Sequence, residues 1–152
     1  DSETYFKRGL ARYEARDWKG ALSDLSAAIN KQSNYPQAYA VRGNARFRLK
    51  DYQAALADYN QAVQQGWEDA TTFNNRGKTK YKLEQYEASL ADYSQSIALD
   101  SAYTLAYENR GIAHFKLEKY EEAREDLRVV EKAQAEKVDV AILYYLADAN
   151  YN

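Results

Sequence analysis

The sequence predicts an all-α solenoid of antiparallel helix pairs, and three observations carry that expectation. The dipeptide Arg-Gly occurs at Arg8-Gly9, Arg42-Gly43, Arg76-Gly77 and Arg110-Gly111, with 34 residues between successive copies and no drift. A fixed period of this size marks a stacked repeat, in which each unit buries its apolar face only against its neighbours. Within each period, apolar and small residues recur at helical spacing. One Pro and six Gly in 152 residues leave little chain for loops or linkers.

With the Gly of each copy as zero, the aromatics Tyr5, Tyr39, Phe73 and Tyr107 stand at −4. Small residues follow at +2 (Ala11, Ala45, Thr79, Ala113) and aromatics at +4 (Tyr13, Phe47, Tyr81, Phe115). Trp18, Tyr52, Tyr86 and Tyr120 occupy +9, and Ala21, Ala55, Ser89 and Ala123 occupy +12. Leu25, Tyr59, Tyr93 and Leu127 stand at +16, with Ala28, Ala62, Ser96 and Val130 at +19. Each unit therefore reads as two helices separated by a polar break such as Lys50-Asp51 or Glu84-Gln85.

The expected helices are 3–15 and 18–31, 37–49 and 52–65, 71–83 and 86–99, then 105–117 and 120–133. Asp17, Asp51, Asp69 and Ser101 are placed to cap helix N-termini. Pro36 suits a first helical turn, where its missing N–H costs nothing, and Gly66 suits a helix end. The Gly at zero marks the closest approach of the paired helices. A helix interior accepts it there despite a cost of about 1 kcal/mol. Most of the 15 Tyr occupy core phases, so they read as amphipathic packing material rather than a stacking platform for bases.

Composition narrows the function classes. A formal net charge of −2 argues against a general nucleic-acid or membrane-surface binder. No apolar run approaches the roughly 20 residues that span a bilayer. The absence of Cys excludes disulfides, thiolate metal sites and Cys nucleophiles, and leaves the compartment open between cytoplasmic and exported or periplasmic. A single histidine, His114, supports neither a His-based metal cluster nor a catalytic constellation, and at +3 it reads as a packing or edge residue. No enzyme activity, cofactor or metal is expected.

The full set of phases resembles the tetratricopeptide repeat. The resemblance covers residues 2 to about 135 as four repeats, at about 2–35, 36–69, 70–103 and 104–137. An extra helix follows over 138–150, within a single domain spanning 1–152. It implies a right-handed solenoid acting as a non-catalytic protein-interaction scaffold. Two departures stand out. The usual closing Pro is replaced by Ser33, Trp67, Ser101 and Ala135, and the residue before each Gly is Arg instead of Leu. Asn75-Arg76-Gly77 and Asn109-Arg110-Gly111 look like bacterial versions of the repeat. The segment 138–150 carries Ile142, Leu143, Tyr144, Tyr145 and Leu146, too apolar for a solvated cap. Either further repeats follow in a longer chain, or this end self-associates with another subunit.

Each repeat also carries Asp at +15, as Asp24, Asp58, Asp92 and Asp126. The Arg and Asp could form a ladder of anion sites or an internal brace of ion pairs. Their regularity favours the brace, since a ligand need not repeat every 34 residues.

The resemblance further implies that first helices line a concave groove. The candidate contacts are Asn44, Phe47, Arg48, Asn74, Asn75, Lys78, Tyr81, Lys82, Glu108, Asn109, Ile112, Phe115 and Lys116. The asparagines can present amides to an extended peptide, and Arg48, Lys78, Lys82 and Lys116 make the floor basic. The expected partner is a protein or peptide segment with acidic or carboxylate groups. Asn44 and Asn75 resemble two asparagines of the family's carboxylate clamp. Ala40, Leu105 and Asn109 stand where the clamp's basic residues belong, which argues against a chaperone-tail receptor.

Overall fold

The computed structural model describes the backbone of residues 1–149 and all side chains except those of residue 141 and of 143–152. Its helices are α1 (Ser2–Glu14), α2 (Trp18–Lys31), α3 (Pro36–Arg48), α4 (Tyr52–Gln64), α5 (Ala70–Lys82), α6 (Tyr86–Leu99), α7 (Thr104–Lys116) and α8 (Tyr120–Ala149). The first seven begin and end within one residue of their expected positions. Successive helices pack in pairs, and α1, α3, α5 and α7 also touch one another along an inner wall. That second set of contacts makes a solenoid out of four hairpins.

The local chemistry explains the helix ends. Asp17 accepts from the Gly20 N–H at 2.9 Å, Asp51 from Ala54 at 3.3 Å and Asp69 from Thr72 at 2.6 Å. Pro36 opens α3. Ser101 does not cap α7: that helix starts at Thr104 behind Tyr103, and Asp100 instead accepts from the Ala102 N–H to hold the preceding turn. Every first helix ends alike, with a left-handed residue at Arg16, Lys50, Glu84 or Glu118 (φ 61 to 63). The next N–H then bonds back five residues, as from Asp51 to the Arg46 carbonyl at 2.9 Å, which satisfies carbonyls a helix end leaves open.

The core is narrow. Ala21, Leu25, Ala28, Ala38, Ala45, Ala55, Tyr59, Ala62, Tyr93, Ala106 and Ala113 are all 1% exposed or less. Small residues let the helices approach, and one large residue per repeat at +16 fills the space above the Gly. A Cβ on Gly77 would lie 2.7 Å from the Tyr93 ring. The same phase differs in the fourth repeat: Leu25, Tyr59 and Tyr93 are buried, whereas Leu127 is 40% exposed. No helix among the described residues is long and apolar enough to cross a membrane.

One expected boundary is absent. The segment expected as a separate helix over 138–150 continues α8 without a break as far as Ala149. The physical reason is composition: residues 132–137 read Lys-Ala-Gln-Ala-Glu-Lys, all good helix formers with no Gly, Pro or capping residue to stop the helix. Val138, Val140 and Ile142 are more than half exposed along this extension. Residues 150–152 and the side chains of Leu143, Tyr144, Tyr145 and Leu146 lie outside the described residues.

Candidate partner-binding groove

Two sets of cations on the first helices have different fates. The first set is internal. Arg8, Arg42, Arg76 and Arg110 each grip the Asp of their own repeat through two nitrogens, at 2.6 to 3.0 Å. Those carboxylates are only 2 or 3% exposed, so a forked, charge-assisted grip offsets their desolvation. The guanidinium carbons of the four arginines also lie 5.2 to 5.6 Å from the aromatic ring centroids at −4. From the second repeat onward each Arg reaches back to the preceding repeat, bonding Ser26, Asn60 or Ser94 at 3.1 to 3.3 Å. The repeated Arg-Asp pair is therefore a brace within and between repeats.

A third member of the brace was legible but not recognised in the sequence. Each buried Asp meets a second basic residue at +3: Arg12 at 2.8 Å, Arg46 at 2.9 Å, Lys80 at 2.8 Å and His114 Nδ1 at 3.0 Å. His114 is thus the fourth repeat's version of this partner, not merely an edge residue. All four +3 positions are basic, and that recurrence was the available signal.

At Asp24 the hydrogen bond from Arg8 outweighs burial and holds the carboxyl below its ordinary range, with Arg12 adding to it. A folded value below the unfolded one adds stability that is complete above the unfolded carboxylate pKa of about 3.9 and is lost as pH falls through the folded value. The melting temperature is accordingly expected to fall on acidification below about pH 4, and less steeply in Asp24→Asn. Thermal melts of both proteins across that range check this.

The second set of cations lies in the groove along α3, α5 and α7. Among the described residues, Arg48, Lys78, Lys82 and Lys116 have no carboxylate within ion-pair distance. Arg48 lies over the Trp18 ring, Lys78 over Phe47 and Lys116 over Tyr86, at 5.3 to 5.6 Å. Burial, reinforced by Arg48 and Lys82, holds the Lys78 ammonium below its ordinary value. Arg48, Lys78 and Lys82 are thus cations close enough to feel one another, with no carboxylate supplied among the described residues.

The asparagines divide as well. Asn44 accepts from the Tyr59 hydroxyl at 2.6 Å and from the Asn75 amide at 3.0 Å, so much of its capacity is spent internally. Asn74 is fully buried beneath the groove floor. Its carbonyl oxygen accepts from Asn109 at 2.9 Å and its amide nitrogen has no partner, so it orients Asn109 and does not itself face the groove. Asn109 is half-buried, while Glu108, Ile112, Phe115 and Lys116 are exposed on α7. Phe47 and Tyr81 are half-buried, each packed edge-on against Tyr52 or Tyr86.

Fold and groove together define a helical-repeat interaction scaffold, with one face braced shut and another left open and basic. Comparison with known proteins gives the family. Tetratricopeptide repeat models match residues 6–70 and 105–136, and a TPR repeat model matches 77–118. The second TPR domain of Spaghetti (RPAP3), bound to the HSP90 peptide SRMEEVD, is 30% identical with a TM-score of 0.63, covering 71% of this chain and 98% of that domain. The chain belongs to the tetratricopeptide repeat family. The crystal structure of MamA, 19% identical, superposes with a TM-score of 0.85 over 91% of this chain and 81% of MamA. The Arabidopsis OM64 TPR domain, 22% identical, gives 0.72 over 74% of this chain and 93% of that domain. No curated protein sequence matches closely enough to count as a relative. Proteins of this fold are typically non-catalytic interaction modules.

Proposed function

We propose that this chain is a non-catalytic scaffold that holds an extended protein or peptide segment bearing acidic or carboxylate groups in the groove of α3, α5 and α7. The single observation behind this reading is the contrast between its two sets of cations. The residues at −1 and +3 of each repeat share one buried carboxylate, while Arg48, Lys78, Lys82 and Lys116 have none among the described residues. Clustered like charges disfavour one another, so an incoming carboxylate is favoured there more than on an ordinary surface.

The test uses a fluorescein-labelled octapeptide of alternating Ser and Glu, titrated by anisotropy at low and high salt. Binding should weaken with salt, and Lys78→Glu with Lys82→Glu should weaken it at least about tenfold, with circular dichroism and melting temperature unchanged. Unchanged affinity in that double variant would sink the groove reading.

A second reading has its own observation. Val138, Val140 and Ile142 on the α8 extension are 52 to 66% exposed, and Phe115 and Leu127 of the fourth repeat are exposed at 65% and 40%. Apolar surface of this extent suits self-association of two chains through residues 138–150. Light scattering over a concentration series decides it, since a strict monomer removes this role.

A further inference from the structure

The groove contains the same pocket twice, one repeat apart. Between the second and third repeats, Asn44, Phe47, Arg48, Tyr59, Asn75 and Lys78 line a cleft of about 40 Å³, joined by Tyr13. Moving each of those six residues on by one 34-residue period gives Lys78, Tyr81, Lys82, Tyr93, Asn109 and Ile112, and these line a pocket of about 200 Å³ between the third and fourth repeats. Tyr81 and Lys82 keep the aromatic and the cation of Phe47 and Arg48, and two further substitutions change the chemistry. Lys78 replaces Asn44, and Ile112 replaces Lys78.

The first substitution changes the hydrogen bonding at the floor. In the smaller cleft the Tyr59 hydroxyl donates to the Asn44 carbonyl oxygen at 2.6 Å, and Asn75 closes the same oxygen from the other side. In the larger pocket the matching position is Lys78, an ammonium that can only donate. The Tyr93 hydroxyl therefore has no equivalent acceptor and no hydrogen-bond partner among the described residues, and Tyr93 lines the pocket. It is not one of the sealed, unpartnered atoms, so it opens onto the pocket, where it can donate to an acceptor that a ligand brings. The second substitution places an aliphatic wall, Ile112, where the first cleft has a cation.

From this geometry we infer that the pocket between the third and fourth repeats is the groove's specificity subsite and takes the carboxylate of an acidic side chain from the bound segment. The carboxylate accepts from the Tyr93 hydroxyl and sits between the Lys78 and Lys82 ammonium groups, while the methylene stem of a Glu lies along Ile112 and Tyr81. The smaller cleft, closed by its own hydrogen bonds, takes no side chain. This deepens the groove reading and rests on it.

The test compares Tyr93→Phe with Tyr59→Phe, because each removes one hydroxyl from matching sites. Titrations use the labelled Ser-Glu octapeptide, its C-terminally amidated form, and a form with Gln in place of every Glu. Tyr93→Phe should weaken the first two probes about tenfold and leave the melting temperature unchanged or slightly raised, since no internal hydrogen bond is lost. Tyr59→Phe should lower the melting temperature and leave both affinities within about twofold, and the Gln peptide should not bind wild type. If amidation alone abolishes binding, the ligand is a chain terminus and the side-chain assignment is wrong. If wild type binds and Tyr93→Phe binds equally well, the subsite is wrong while the groove reading stands. If wild type binds none of the three, both fail.

Discussion

Asp58→Ala is expected to destabilise the fold by about 3 kcal/mol or more, several times the 0 to 1 kcal/mol of a surface ion pair. Asp58 is 2% exposed and takes two nitrogens of Arg42 and one of Arg46, whose side chains are 14% and 23% exposed. Removing it leaves two guanidinium groups partly buried and facing one another with no anion between them. Asp24→Ala should cost less, because its partners Arg8 and Arg12 are 56% and 40% exposed and water can replace the carboxylate. Chemical denaturation of the two variants beside wild type measures both. Equal losses at the two positions would mean that burial of the cations does not set the penalty.

The second large effect belongs to the Gly of the repeated dipeptide, and it should differ between copies. In a helix interior, Gly→Ala alone gains about 1 kcal/mol. At Gly77 the new Cβ would sit 2.7 Å from the Tyr93 ring, which is only 1% exposed and already packed over the Gly. Overpacking of that kind costs about 1 to 3 kcal/mol, and at the upper end of that range, which a 2.7 Å contact with a packed ring calls for, Gly77→Ala should lose a net of about 2 kcal/mol. At Gly111 the nearest atom is Asp126 Cβ at 3.3 Å, and the +16 residue, Leu127, is partly exposed. Gly111→Ala should therefore be close to neutral. Thermal melts decide it: a loss at Gly111 as large as at Gly77 would show that the backbone conformation, and not the facing side chain, demands the Gly.

These two positions also show what was legible in the sequence. A period without drift identified the helix pairs and placed seven helices to within a residue, because the same phases had to bury the same faces four times. The Arg and Asp could be paired for the same reason. What repetition could not show is that α8 runs on past the fourth repeat. The extension follows from local helix propensity, with no Gly, Pro or capping residue in 132–137 to stop it, and nothing periodic marks it. The groove was partly legible. The basic residues could be named as a group, but only coordinates separate the braced cations from those without a carboxylate. Asn74 shows the limit most clearly: it looks like its neighbour Asn75, yet the helix turns its side chain fully inward, where it orients Asn109. The larger pocket was legible only in part. That Lys78 takes the place of Asn44 can be read from the sequence, but the consequence for Tyr93 requires the hydroxyl of Tyr59 to be seen donating to Asn44.

The separation of braced from open cations is tested most directly by measuring melting temperature and affinity for the Ser-Glu octapeptide on the same samples of two proteins. One is Arg76→Ala, which removes a braced cation bonded to Asp92 at 2.7 and 3.0 Å; the other is the double variant Lys78→Glu with Lys82→Glu. The expected result is a crossed pattern, with Arg76→Ala lowering the melting temperature while its folded fraction binds peptide as wild type does. The groove variant should melt as wild type does and bind at least about tenfold more weakly. Loss of peptide binding in Arg76→Ala at an unchanged melting temperature would contradict the account, because the repeated Arg would then be the ligand contact and not the brace.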